Sequence, residues 1–174
     1  MAGLIITAPL LVVTYAAGWC DTGSPILRQV RVGRHKQPFL LLKFRTMHMN
    51  APTIATHLVS GAAVTPLGRF LRRTKIDELP QLWNVLLGHM SIVGPRPCLM
   101  SQQELISERD KYGIYDFLPG ITGLAQISGI DMSDPALLAR TDAEMLRNRS
   151  AITYVHYIIQ TAIGHGAGDR VKVK

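Results

Sequence analysis

The sequence predicts an α/β domain, mostly helical with short strands, set behind an apolar N-terminal helix. Three observations predict it. Residues 1–20 carry no charged side chain, and Leu4, Ile5, Ile6, Leu10, Leu11, Val12 and Val13 make the run apolar all round rather than along one stripe. Leu27–Val32 and Phe39–Phe44 are short β-rich runs around a polar loop, Gly33–Gln37. Between Ile76 and Leu87, apolar residues recur at helical spacing. At 174 residues the chain is long enough for one sizeable core. The expected division is an apolar, membrane-inserted helix over residues 1–20 and one cytosolic domain over residues 21–174.

A helix of residues 1–20 would measure about 30 Å, close to the thickness of a bilayer core. Pro9 lies inside it, where proline removes a backbone hydrogen bond and favours a kink. Three arrangements suit such a segment: a straight spanning helix, a bent helix that enters one leaflet and returns, and a buried core helix. A secretory signal is disfavoured because no basic residue precedes the apolar run. A lipoprotein reading of Cys20 is disfavoured by Trp19, which is bulky where a small residue is needed. Arg28, Arg31, Arg34, Lys36, Lys43 and Arg45 come next, with only Asp21 against them. The positive-inside tendency puts that side in the cytoplasm, and the same cations suit anionic headgroups.

Charge narrows the partner. Lysine and arginine total 19 against 12 acidic residues, a formal charge of +7, which favours an anionic ligand or surface. Nucleic acid is disfavoured, because aromatic residues are few and no zinc-finger, helix-turn-helix or RNA-binding signature appears. Cys20 and Cys98 suggest neither a disulfide framework nor a zinc site.

Thr22-Gly23-Ser24-Pro25 is a turn signal. Lys43 and Arg45 alternate near the end of the second strand and are expected on one face, as phosphate ligands or as an ordinary basic edge. Residues 49–63 have little pattern and predict a loop. Thr65-Pro66 opens a basic helix that runs through Arg73. Ile76, Leu79, Leu82, Trp83, Leu86 and Leu87 then recur at helical spacing, with Thr74 as N-cap, Pro80 in the early turns and Gly88 as the stop. That places Asp77 and Glu78 in the first turn, close after Arg69, Arg72, Arg73 and Lys75. A helix start favours carboxylate charge and also binds phosphate. An ionised carboxylate there suits a nucleophile towards phosphorus; an ordinary solvated helix start is the plainer alternative.

Residues 90–93 are a short apolar run, and Gly94-Pro95-Arg96-Pro97 comes directly after it. Two prolines fix the backbone on either side of Arg96. A rigidly aimed guanidinium suits bidentate phosphate recognition; a stiff turn with an exposed arginine is the structural alternative. Ser101–Lys111 reads as a polar helix. Pro119–Gln126 reads as a Gly-rich turn into a strand, without the lysine and spacing of a P-loop. Asp134–Arg147 reads as a helix capped by Ser133 or Asp134. Ala151–Ile163 reads as an apolar helix carrying Tyr154, His156 and Tyr157. Residues 164–174 form a Gly-rich basic tail expected to be disordered.

Taken in order, Gly23–Gly33, Lys43–Met47, Thr65–Arg73, Lys75–Asn84, Gly88–Pro97 and Pro119–Gly129 resemble the bacterial sugar transferases, the monotopic phosphoglycosyl transferases that load a phosphosugar onto polyprenyl phosphate. The ordered set covers most of the chain between Gly23 and Gly129. The resemblance implies a compact fold with a re-entrant helix kinked at proline, held at the cytoplasmic face of the bacterial inner membrane. It implies a two-step reaction. A carboxylate attacks the diphosphate of a nucleotide-activated sugar (a UDP-sugar), and the phosphosugar then passes to undecaprenyl phosphate. The nucleophile of the family's Asp-Glu pair falls on Asp77, and Glu78 assists through a magnesium ion. Arg96, Arg72 and Lys43 or Arg45 would hold substrate phosphate. The product would feed exopolysaccharide, O-antigen or glycoprotein assembly, with downstream glycosyltransferases as further partners.

Some positions depart from the family pattern. Only eight residues precede Pro9 and Ala8 replaces the usual serine, which predicts an N-terminally short anchor. Ser101, Gln102 and Gln103 stand where an acidic residue is common. The C-terminal segment differs around Met145 and His156. A non-catalytic membrane-bound relative that binds partners through the same surface is the alternative implied.

Overall fold

The computed structural model describes residues 2–51, 63–164 and 166. The described residues form two compact units: 2–29, 41–51 and 63–86 in the first, and 30–40, 87–164 and 166 in the second. The expected tail and most of the expected 49–63 loop lie outside the described residues.

In the first unit, α1 (Ala2–Thr22) is one helix with Pro9 inside it. Among the described residues, no helix is long and apolar enough to cross a membrane. Several of its apolar side chains are exposed, including Val12, Val13 and Trp19. β1 (Ile26–Val32) and β2 (Pro38–Phe44) pair as a two-stranded sheet, as two short β-rich runs around a polar loop predict. A connection this short joins only antiparallel neighbours. It is a tight turn, Arg34–Lys36, in which His35 and Lys36 take positive φ of 54° and 59°. At the open end of the ribbon, the Arg45 amide donates to the Pro25 carbonyl at 2.7 Å.

α2 (Pro66–Thr74) begins as the sequence predicts. Thr65 is its N-cap, accepting from the Gly68 amide at 2.9 Å, and Pro66 occupies a first-turn position that needs no amide hydrogen. The Thr65 hydroxyl also donates to Asp21 Oδ2 at 2.7 Å, at the end of α1. α2 lies so close to Thr46 that a Cβ on Gly68 would come within 2.1 Å of its carbonyl oxygen.

The central segment differs from the expected single helix. Lys75 takes the left-handed conformation, φ 58° and ψ 14°, and ends α2. Thr74 does not cap the next turn: its hydroxyl donates backward to the Phe70 and Leu71 carbonyls. Ile76–Glu78 is one tight 3-10 turn, and only after Pro80 does α3 (Gln81–Leu86) begin. Pro80 has no amide hydrogen, so it cannot continue a helix from the preceding turn but can stand just ahead of one. Gly88, with φ 75°, stands after α3 as the expected stop.

In the second unit, β3 (Ser91–Val93) pairs in parallel with β4 (Gly120–Thr122), Ser91 opposite Gly120 and Val93 opposite Thr122. The Gly-rich segment therefore runs from a strand into a short helix, α5 (Leu124–Ile127), rather than from a turn into a strand. Val32, Cys98, Leu105, Tyr115, Ala125 and Leu138 form the core, with Ile106, Ile130 and Met132 packed against it. Full burial of a side chain such as Leu105 or Leu138 contributes about 2–3 kcal/mol. These residues come from β1, α4 (Gln103–Asp110), α5 and α6 (Pro135–Arg147) and their connections. Asp134 caps α6, accepting from the Leu137 amide at 3.0 Å. α7 (Ala151–Ala162) opens with a reciprocal cap between Ser150 and Thr153. Cys20 and Cys98 are both free thiols.

Candidate active site

Asp77 and Glu78 sit together on the 3-10 turn, 4 % and 9 % exposed. A carboxylate is rarely this buried unless its charge is compensated. The first unit also holds two cations that are not fully exposed. Lys43, near the end of β2, is buried at 5 % exposure. Arg72, in the last turn of α2, donates its Nε to the Thr46 hydroxyl at 2.8 Å. The Arg72 carbonyl in turn accepts from the Lys75 amide, so the joint into the acidic turn begins at the residue that carries the guanidinium. Lys43, Arg72, Lys75, Asp77 and Glu78 all have interaction partners.

Two side-chain amides that follow the turn are buried. Asn84 is 1 % exposed, and its Oδ1 accepts from the Leu42 amide at 3.0 Å. This contact pins α3 to β2 beside Lys43. Gln81 is buried as well.

Arg45 is placed differently from Lys43. It lies just beyond β2, and its Nε donates to the Ser24 carbonyl at 2.9 Å, so its guanidinium ties down the chain that leads into β1. The first unit thus gathers Lys43, Arg45, Arg72, Asp77 and Glu78, with Arg45 committed to Ser24. Arg96 belongs to the second unit.

The second unit holds the backbone around Arg96 with unusual completeness. The Pro95 carbonyl accepts from the Gly120 amide at 2.9 Å, and the Cys98 carbonyl from the Val32 amide at 3.0 Å. Between them, the Arg96 carbonyl accepts from Arg109 Nη1 at 2.8 Å and the Pro97 carbonyl from Arg31 Nη1 at 3.0 Å. Arg31, expected among surface cations, is instead buried at 9 % exposure. Arg109 and Asp142 form a buried ion pair, with Arg109 Nε and Nη2 both on Asp142 Oδ2 at 3.0 and 2.7 Å. Burial opposes the Arg109 charge, but Asp142, with smaller help from Cys98 and Tyr115, more than restores it and raises the guanidinium above its usual range. Burial pushes the Asp142 carboxyl up, and Arg109 pulls it back only in part. Asp142 Oδ1 is buried with no hydrogen-bond partner among the described residues.

Arg109, Asp142 and Arg31 were not legible as site residues in a polar helix, a capped helix and a basic strand. The available signal was helical spacing: Arg109 stands four residues after Leu105, and Asp142 four after Leu138, each on its helix's buried face. The second unit also encloses a cavity of about 450 Å³ beside Ser91, Gly94, Phe117, Met145, Tyr154 and Tyr157. Arg149 stacks over the Phe117 ring there, 4.8 Å from its centre.

No group of three or more His, Cys, Asp or Glu side chains able to hold a metal occurs among the described residues. The single carboxylate of Glu78 still suits magnesium. That ion keeps several waters and takes one or two carboxylates together with substrate phosphate oxygens.

The chain is 43 % identical over 127 residues to the uncharacterised sugar transferase EpsL of Bacillus subtilis, covering 72 % of this chain and 62 % of that protein. It is 44 % identical over 128 residues to a UDP-glucose:undecaprenyl-phosphate glucose-1-phosphate transferase of Caulobacter vibrioides, covering 71 % of this chain and 48 % of that one. It is 34 % identical over 176 residues to an undecaprenyl-phosphate galactose phosphotransferase of Salmonella typhimurium, covering 91 % of this chain and 37 % of that one. The chain thus spans between about a third and two thirds of the length of these relatives. The family model described as bacterial sugar transferase matches residues 1–165, and the chain belongs to that family.

Proposed function

We propose that the chain is the catalytic part of a phosphoglycosyl transferase that moves a sugar phosphate from a UDP-sugar to a polyprenyl phosphate. The observation that carries this reading is the pair of buried carboxylates, Asp77 and Glu78, on one tight turn in the same unit as buried Lys43 and half-buried Arg72. The activities for which the Caulobacter and Salmonella relatives are named supply the class of donor and acceptor.

In the first step an Asp77 carboxylate oxygen attacks the sugar-bearing phosphorus of the UDP-sugar. An Asp77 O–P bond forms, the bridging P–O bond breaks, and UMP leaves with that electron pair. In the second step a phosphate oxygen of the polyprenyl phosphate attacks the same phosphorus. The O–P bond to Asp77 breaks, the carboxylate is restored, and a polyprenyl diphosphate-linked sugar departs. Splitting the displacement lets one pocket bind the two large substrates in turn. A carboxylate and a diphosphate repel each other, so cations must offset their charge. Lys43 and Arg72 are assigned that role in the first unit, and Arg96 holds substrate phosphate. Arg45 takes a lesser part, through Ser24. Glu78 would hold magnesium, which when bound neutralises phosphate charge.

Residues 1–20 are assigned to a membrane-inserted, re-entrant helix, and residues 21–174 to a domain at the cytoplasmic face of the bacterial inner membrane. The continuous helix with Pro9 inside it and the exposed Val12, Val13 and Trp19 support this assignment. The product would feed exopolysaccharide or O-antigen assembly.

The test is UMP release from UDP-glucose and UDP-galactose in detergent with magnesium and undecaprenyl phosphate. Asp77→Asn is expected to lower turnover by about three orders of magnitude or more without changing the melting temperature by more than a few degrees. Turnover in that variant close to the parent's would place the nucleophile elsewhere.

A further inference from the structure

We infer that Arg109 and Arg31 are positioning residues for Arg96, fixing the backbone of the Pro95-Arg96-Pro97 turn so that its guanidinium meets substrate phosphate. This rests on the reading of Arg96 as a phosphate ligand.

Four successive carbonyls, from Pro95 to Cys98, accept from four different donors. The two outer donors are backbone amides, Gly120 and Val32. The two inner donors, at Arg96 and Pro97, are guanidinium groups that are almost completely buried. Pro95 and Pro97 have fixed φ and no amide hydrogen, so this segment cannot build its own turn ladder. Its carbonyls must be satisfied from outside, and the outside donors set where Arg96 stands.

The buried pair itself argues for more than packing. An apolar pair of similar volume would commonly serve stability as well as an Arg–Asp pair does. What an apolar pair cannot supply is the third bond. Asp142 Oδ2 takes Arg109 Nε and Nη2, and the planar fork then presents Nη1 to the Arg96 carbonyl. A lysine could face Asp142 but could not hold both acceptors in that geometry.

The test is a double-mutant cycle on the full chain, with UDP as the probe and its Kd read by calorimetry on samples of matched folded fraction. Arg96→Ala alone is expected to weaken UDP binding at least ten-fold. Arg109→Lys is expected to weaken it about ten-fold in the parent and to have no further effect in the Arg96→Ala background. Equal losses in the two backgrounds, or no loss in either, would overturn the positioning role while leaving Arg96 a phosphate ligand. Parent-like binding by Arg96→Ala, or no UDP binding by the parent, would overturn the phosphate reading and the positioning role with it. If Arg109→Lys is unfolded at the assay temperature, Arg31→Met goes through the same cycle, with the same outcomes deciding.

Discussion

Gly94 and Gly120 pack backbone against backbone: a Cβ placed on Gly120 would lie 2.0 Å from the Gly94 nitrogen. Gly120 opens β4, and Gly94 follows the end of β3, where the segment bearing Arg96 begins. Nothing there is a flexible side chain that could turn aside. Gly120→Ala is therefore expected to cost about 3 kcal/mol or more of stability, at the upper end of overpacking effects. Urea unfolding monitored by circular dichroism would measure it, and a loss under about 1 kcal/mol would contradict this packing.

Thr65 performs two tasks with one hydroxyl, capping α2 through Gly68 and donating to Asp21. Thr65→Ser keeps both and should be nearly neutral. Thr65→Ala loses both and should cost about 1–2 kcal/mol, the range for a lost N-cap with a second hydrogen bond. Paired thermal melts of the two variants give the difference directly.

Asp142→Ala would leave the Arg109 charge buried and uncompensated. The expected cost is about 3–5 kcal/mol. Arg109→Met combined with Asp142→Leu removes both charges and should recover most of that stability. UDP affinity should not recover with it, because the donor to the Arg96 carbonyl is gone. Chemical denaturation and the UDP titration together read both quantities.

Burial pushes the Tyr115 phenol well above its usual range, and the neighbouring Cys98 thiol adds to the shift. The folded chain then holds this proton after the unfolded chain has lost it. Stability linked to Tyr115 is therefore intact below pH about 10 and is lost as the pH rises further. Urea unfolding between pH 8 and pH 11, with Tyr115→Phe as reference, should show a steeper alkaline decline in the parent.

Much of the fold could be read from local chemistry. The β1–β2 ribbon was legible from two β-rich runs around a polar loop, α2 from Thr65-Pro66, and α6 from Asp134, because turns, caps and strand propensity act over a few residues. The central segment misled. Its apolar spacing is helical, but nothing in a lysine announces a left-handed backbone, so the break at Lys75 was invisible. Lys43 and Arg45 looked equivalent by alternation, yet Arg45 lies past the strand end and is taken by Ser24. The Asp77-Glu78 pair was legible because adjacent carboxylates after a run of cations are conspicuous in sequence. The support beneath Arg96 was not, because Arg31, Arg109 and Asp142 come from three separate stretches and meet only through tertiary packing.

The bond from Thr65 to Asp21 makes α1 a lever. Its far arm is a long apolar helix, and its near end is fastened to the residue that starts α2. α2 ends at the joint from which the acidic turn hangs. Tilting α1 must stretch that bond or carry α2 along with it. Whatever moves α1 therefore also reaches the turn that carries Asp77.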